Sequence, residues 1–264
     1  ALLTLWLEKD VESFKSIVPE ACSKACEEGP DKETTPLWLL AGNPDGCALL
    51  KLWIEKDPES FQLIDPKAWS KACEDGSNKG ITPLWWLVGN PEGRALLKLW
   101  FEKDVDSFKS IVAEAWSMPC EDGPDKGTTP LYWLAANPDG RALLKLWFEE
   151  DIDSFKGILP DAWSKAREAG PDKGTTPLYW LAATPEGQAL LTLWIEKDIE
   201  SFKGISSEAW SKAPEVGPNK GKTPLYWLVE SPEGCKLLKL WLEKNSESFK
   251  GISSEAWSKA VEDG

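Results

Sequence analysis

A period of 47 residues runs through the whole chain. Trp6, Trp53, Trp100, Trp147, Trp194 and Trp241 mark one column of it, and Phe14, Phe61, Phe108, Phe155, Phe202 and Phe249 mark a second. Trp69, Trp116, Trp163, Trp210 and Trp257 form a third, with Cys22 in its first place. The 264 residues span about 5.6 periods, opening and closing inside a repeat. Self-similarity at this length marks a stacked array, because one unit cannot bury its apolar face alone and does so against its neighbours. We therefore expect an all-α chain, an open solenoid with a partial unit 1–34, units 35–81, 82–128, 129–175 and 176–222, and an incomplete unit 223–264. Nothing interrupts the pattern, so 1–264 is read as a single repeat domain and as a fragment of a larger protein.

The punctuation inside a unit is legible. Thr129 is a candidate N-cap, and Pro130 sits at the first helical position, where its missing N–H is harmless. The spacing predicts a short helix to about Ala136. Asn137 is expected to cap a second helix from Pro138, and its counterparts Asn43, Asn90, Thr184 and Ser231 are all capping residues. Asp139, Asp45, Glu92, Glu186 and Glu233 place an acid in the first turn, where the helix dipole favours it. In the second helix, "PDGRALLKLWFEEDI", Ala142, Leu143, Leu146 and Trp147 recur at helical spacing, and Leu144 and Phe148 widen the stripe. The remainder, "DIDSFKGILPDAWSKAREAG", reads as a short helix or turn around Phe155 and a further helix from near Pro160. Gly170 is the expected stop of that helix, repeated at Gly29, Gly76, Gly123, Gly217 and Gly264. The stretch "EDGPDKGTT" lacks the β-branched alternation of a convincing strand.

Composition narrows the partners. With 42% hydrophobic residues and 17 Trp the chain has ample core, whereas a net charge of −14 opposes nucleic-acid backbones and anionic membranes. No apolar run is long enough to predict membrane insertion, and "ALLTLWLEKD" lacks the basic start of a signal peptide. Cys26, Cys73 and Cys120 stand one repeat apart, but the next equivalents are Arg167, Pro214 and Val261, so that column has no fixed thiol partner. Disulfides are not expected, which fits a reducing compartment. With no His in the chain, Cys22 and Cys26 make a poor zinc site, and neither metal nor cofactor is expected.

The segment "DKGTTPLYWLAANPDGRALLKLWFE" resembles the ankyrin repeat, whose signature is a turn, then Thr-Pro-Leu-His-x-Ala, a loop glycine and a Leu-rich helix. The His place holds Trp38, Trp85, Tyr132, Tyr179 and Tyr226, and the period is longer than the 33 residues of the ankyrin unit. The resemblance covers about half of each unit. It implies a stack of ankyrin-like units with extra short helices, binding protein through the short-helix surfaces and the turns before them. A cytoplasmic or host-delivered protein fits the same analogy.

Candidate chemistry is thin. Glu149, Glu150, Asp151 and Asp153 form an acid cluster that recurs in every unit, which reads as a solvated rim more than as the distinct carboxylate pair of a glycosidase. Acids late in a helix oppose its dipole, a small anomaly. Trp147, Trp133, Trp163 and Trp116 are read as core. Serine has no His to activate it, no phosphate-binding glycine loop is present, and no catalytic residue is assigned. Recognition is instead sought where the repeats differ: Arg94, Arg141 and Gln188 in the column flanked by Cys47 and Cys235, and the aromatic column Trp85, Tyr132, Tyr179 and Tyr226. The expectation is a monomeric, non-enzymatic protein–protein scaffold. A structural spacer is the alternative, and a closed helical toroid with enzymatic, glycan-binding or lipid-binding activity a more distant one.

Overall fold

The computed structural model describes residues 2–26, 34–74, 76–111, 113–158 and 160–247, with 252, 256 and 257. Gly29, Gly264 and Phe249 of the sequence columns lie outside the described residues. The described residues contain helices and turns and no strand. The chain divides into two compact units, Ala1–Gly123 and Pro124–Gly264.

The first unit holds α1 (Leu2–Lys9), α2 (Val11–Ser23), α3 (Pro36–Ala41), α4 (Pro44–Lys56), α5 (Pro58–Phe61), α6 (Pro83–Gly89), α7 (Pro91–Lys103) and α8 (Val105–Lys109). The second holds α9 (Pro130–Ala136), α10 (Pro138–Glu150), α11 (Ile152–Lys156), α12 (Pro177–Ala182), α13 (Pro185–Lys197), α14 (Ile199–Phe202), α15 (Pro224–Glu230) and α16 (Pro232–Lys244). Each short helix pairs with the long helix after it, and like stacks on like. In the first unit α3 meets α6 and α4 meets α7; in the second α12 lies between α9 and α15, and α13 between α10 and α16. Both units are thus stacks of helical repeats.

The caps fall where the residue types demand. Thr129, Thr176 and Thr223 accept from the backbone N–H groups of Tyr132, Tyr179 and Tyr226 at 3.0, 3.0 and 3.1 Å, and a proline follows each at the first helical position. Asn137 differs from its expected role: it makes no side-chain cap bond to α10, and its amide instead donates to the Trp133 carbonyl at 2.8 Å, closing the end of α9.

The core of each repeat is an aromatic spine. In the second unit Trp147, Phe155, Trp194, Phe202 and Trp241 meet edge to face, with centroids 5.2–5.7 Å apart. Trp163 and Trp210 tilt onto Trp194 and Trp241 at 5.1 and 4.7 Å. Trp53, Phe61, Trp100 and Phe108 repeat the arrangement in the first unit. Each such ring buries a large apolar area, and the edge-to-face pairs add about 0.5–1.5 kcal/mol apiece.

The segment from Pro160 departs from expectation. It forms a five-residue 3-10 turn, Pro160–Ser164, and the chain then leaves helical structure. The N–H of Arg167 donates to the Thr175 carbonyl at 2.9 Å and that of Gly174 to the Arg167 carbonyl at 2.8 Å, so the backbone is drawn into a narrow loop instead of a helix. Gly170 therefore does not stop a helix. With φ of +82° it opens the loop that Gly174, at +91°, closes. One main-chain bond ties each loop to the next: Glu121 N–H to Lys79 carbonyl, Glu168 to Lys126 and Glu215 to Lys173, at 2.9, 2.7 and 2.8 Å. Beside each runs an ion pair between the same side chains, at 3.0, 3.2 and 2.7 Å.

Candidate functional site

The recurrent acids have a local job. Asp57, Asp104, Asp151 and Asp198 end a long helix and cap the short helix that follows, accepting from the N–H of Ser60, Ser107, Ser154 and Ser201. The same serines take the indole N–H of the spine: Trp53 donates to Ser60 Oγ, Trp100 to Ser107, Trp147 to Ser154 and Trp194 to Ser201, at 2.7, 3.2, 2.6 and 2.7 Å. The anomaly of an acid at a helix C-terminus resolves here, since the carboxylate faces the N-terminus of the next helix. At Asp198, burial raises the carboxyl pKa, but hydrogen bonds from Ser201 and the charge of Lys156 outweigh it and hold the group below its usual value.

All seven side chains expected at a recognition surface lie in the interior: Arg94, Arg141, Gln188, Trp85, Tyr132, Tyr179 and Tyr226 are each buried. The variable column serves a common end. Arg94 donates to the Val88 carbonyl, Arg141 to Ala135 and Gln188 to Ala182, at 2.8, 3.0 and 2.8 Å. The thiols of Cys47 and Cys235 reach the equivalent carbonyls of Ala41 and Val229 at 3.4 and 3.3 Å. Each ties the long helix to a carbonyl near the end of the preceding short helix, one of the groups a helix leaves without a partner. Gln188 also accepts from Ser231 of the next repeat at 2.9 Å, and Arg141 lies 3.5 Å from Glu186. Burial drives the Cys47 thiol up to about 11 and Cys22 to about 12, so neither carries thiolate at neutral pH.

The aromatic column is likewise structural. Tyr132 and Thr175 share a hydroxyl hydrogen bond at 2.9 Å across consecutive repeats, and Trp38 donates to the Ile81 carbonyl at 2.8 Å in the equivalent place. Burial raises the Tyr179 hydroxyl above its ordinary value, against a lowering bond from Trp227. Arg167, in the column of Cys26, Cys73 and Cys120, is buried and pins two loops. Its Nη2 lies 2.7 Å from Asp125 and its Nη1 3.6 Å from Asp172, and Nε donates to the Ala169 carbonyl at 2.7 Å.

A partly exposed aromatic column lies one residue along. Trp133, Trp180 and Trp227 are half-buried on the consecutive helices α9, α12 and α15, and Trp86 and the exposed Leu39 hold the corresponding places in the first unit. Reading Trp133 as core overlooked the helical wheel. Leu131, Tyr132, Leu134 and Ala135 are buried, and at about 100° per residue Trp133 falls opposite the centre of that face. The rings still pack on their neighbours: Tyr179 and Trp227 meet at 6.3 Å, and Trp38 and Trp86 at 5.6 Å. Among the described residues no helix is long and apolar enough to cross a membrane, and no cluster of metal-ligating side chains is present. Compared with protein-family models, with curated proteins and with solved structures, the chain finds no match.

Proposed function

We propose that the chain is a protein-binding scaffold, an ankyrin-like array whose contact surface is the tryptophan row of its short helices. The observation that carries this reading is the partial exposure of Trp133, Trp180 and Trp227, whose indole nitrogens are buried, at one position of three stacked helices. Indole is the side chain most enriched at binding hot spots, and a row of fixed rings offers contact area at low entropic cost. The charge of −14 favours a partner with a neutral or basic face. The period runs unbroken through Gly123 and Pro124, which supports one repeat domain over 1–264.

The test is a comparison of the wild-type chain with Trp180→Ser/Trp227→Ser, each immobilised for crosslinking capture from the source cell. A captured protein is then purified and titrated against both. Saturable binding to the wild type, weakened at least tenfold in a double variant of unchanged circular dichroism, supports the scaffold. If every captured protein binds both chains equally, the row is not a contact surface, and a spacer becomes the better account.

A further inference from the structure

The long helices repeat a lysine with a glutamate four residues later: Lys51 and Glu55, Lys98 and Glu102, Lys145 and Glu149, Lys239 and Glu243. On α7, α10 and α16 these pair along the helix surface at 3.8, 3.9 and 3.9 Å. The helix α13 departs from this, because Thr192 stands at the lysine position ahead of Glu196, as Thr4 does ahead of Glu8 on the shorter α1.

Two consequences meet at one place. The first is space: a shallow groove of about 370 Å³ lies over α13, floored by Pro185, Ala189 and Leu193. The threonine hydroxyl is turned away from any ligand, donating to the Gln188 carbonyl at 2.9 Å. The second is charge, since Glu196 lacks the paired cation that Glu102, Glu149 and Glu243 have. The neighbouring lysines are engaged elsewhere. Lys145 pairs with Glu149, Lys236 with Glu233 at 3.7 Å, and Lys244 donates to the carbonyls of Ile195 and Glu196 at 3.3 and 2.9 Å. Among the described residues the Glu196 carboxylate has no ion pair.

We propose that this groove seats a lysine side chain of a partner protein, its methylenes on Ala189 and Leu193 and its ammonium at Glu196. The sister helices indicate the occupant, because what α13 lacks is an alkyl chain ending in a cation. The net charge of −14 favours such a basic partner. The idea shares with the scaffold reading the assumption of a protein ligand, but it uses the long helices, not the tryptophan row.

The test titrates the full chain with a blocked Ala-Leu-Lys-Ala-Leu peptide and with its Nε-acetyl-lysine copy, following the methyl resonances of Ala189 and Leu193. The lysine peptide is expected to give saturable shifts that the acetylated copy does not. Glu196→Gln should weaken binding by about threefold, the scale of an exposed ion pair. Thr192→Lys should abolish it, since that variant restores the sister-helix residue, fills the groove and pairs with Glu196 without disturbing the fold. Absence of saturable shifts, equal shifts from both peptides, or wild-type binding by Thr192→Lys would overturn the proposal. Neither variant touches Trp180 or Trp227, so failure here leaves the scaffold reading to its own experiment.

Discussion

At Gly140, the third residue of α10, a methyl group would collide with the carbonyl oxygen and Cα of Leu134, which are backbone atoms with nowhere to move. Gly46, Gly93, Gly187 and Gly234 face the equivalent leucine in the same way. We predict that Gly140→Ala destabilises the chain by ~1–3 kcal/mol despite the better helix propensity of alanine, as overpacking outweighs propensity. Urea unfolding followed by circular dichroism measures this, and an unchanged midpoint would show that α9 and α10 are free to separate. The glycine column was plain in the sequence and was read as a loop glycine. The helix start at Pro138 was legible as well; what the sequence did not show is that the backbone of Leu134 lies directly against this position, so that the glycine serves close helix approach and not a turn.

At the scale of the element, each long helix hands over to a short one through a single aspartate. Asp198 accepts from the Ser201 N–H at 3.3 Å, and Lys156 lies 3.5 Å from its other oxygen. Its folded-state pKa is below the ordinary 3.8, so the stabilisation it supplies is fully present above that value and is lost as pH falls through the lowered one. Urea midpoints taken from about pH 5 down to about pH 2 should therefore fall more steeply in the wild type than in Asp198→Asn. Parallel curves would mean that the carboxylate contributes nothing beyond a neutral cap. Helix caps of the Thr-Pro kind were legible because Thr129 bonds only to the N–H three residues ahead, a local rule. The loop at Arg167 was not, because its backbone is held by Thr175 and Lys126, bonds that no local pattern announces.

Over the whole molecule the 47-residue period is the unit of tolerance. Removing 176–222 joins Thr175 to Thr223, so the loop still leads into a Thr-Pro cap and the spine still runs from Trp147 to a following tryptophan, Trp241. We predict that this deletion keeps a cooperative unfolding transition and the same helicity per residue at a lower urea midpoint, because a stack loses one unit and one interface. A broad, non-cooperative transition would mean that the repeats are not interchangeable. All-α stacking was readable from periodicity alone. The candidate surface was not, because variation between repeats was taken for exposure, and Arg94, Arg141 and Gln188 vary while buried.

That column behaves like a set of synonyms. Thiol, guanidinium and carboxamide at Cys47, Arg141 and Gln188 all deliver a donor to a carbonyl six residues back. What is specified there is a bond and not a residue, so a designer is free to respell the position under one grammatical rule, that the word chosen can give a hydrogen.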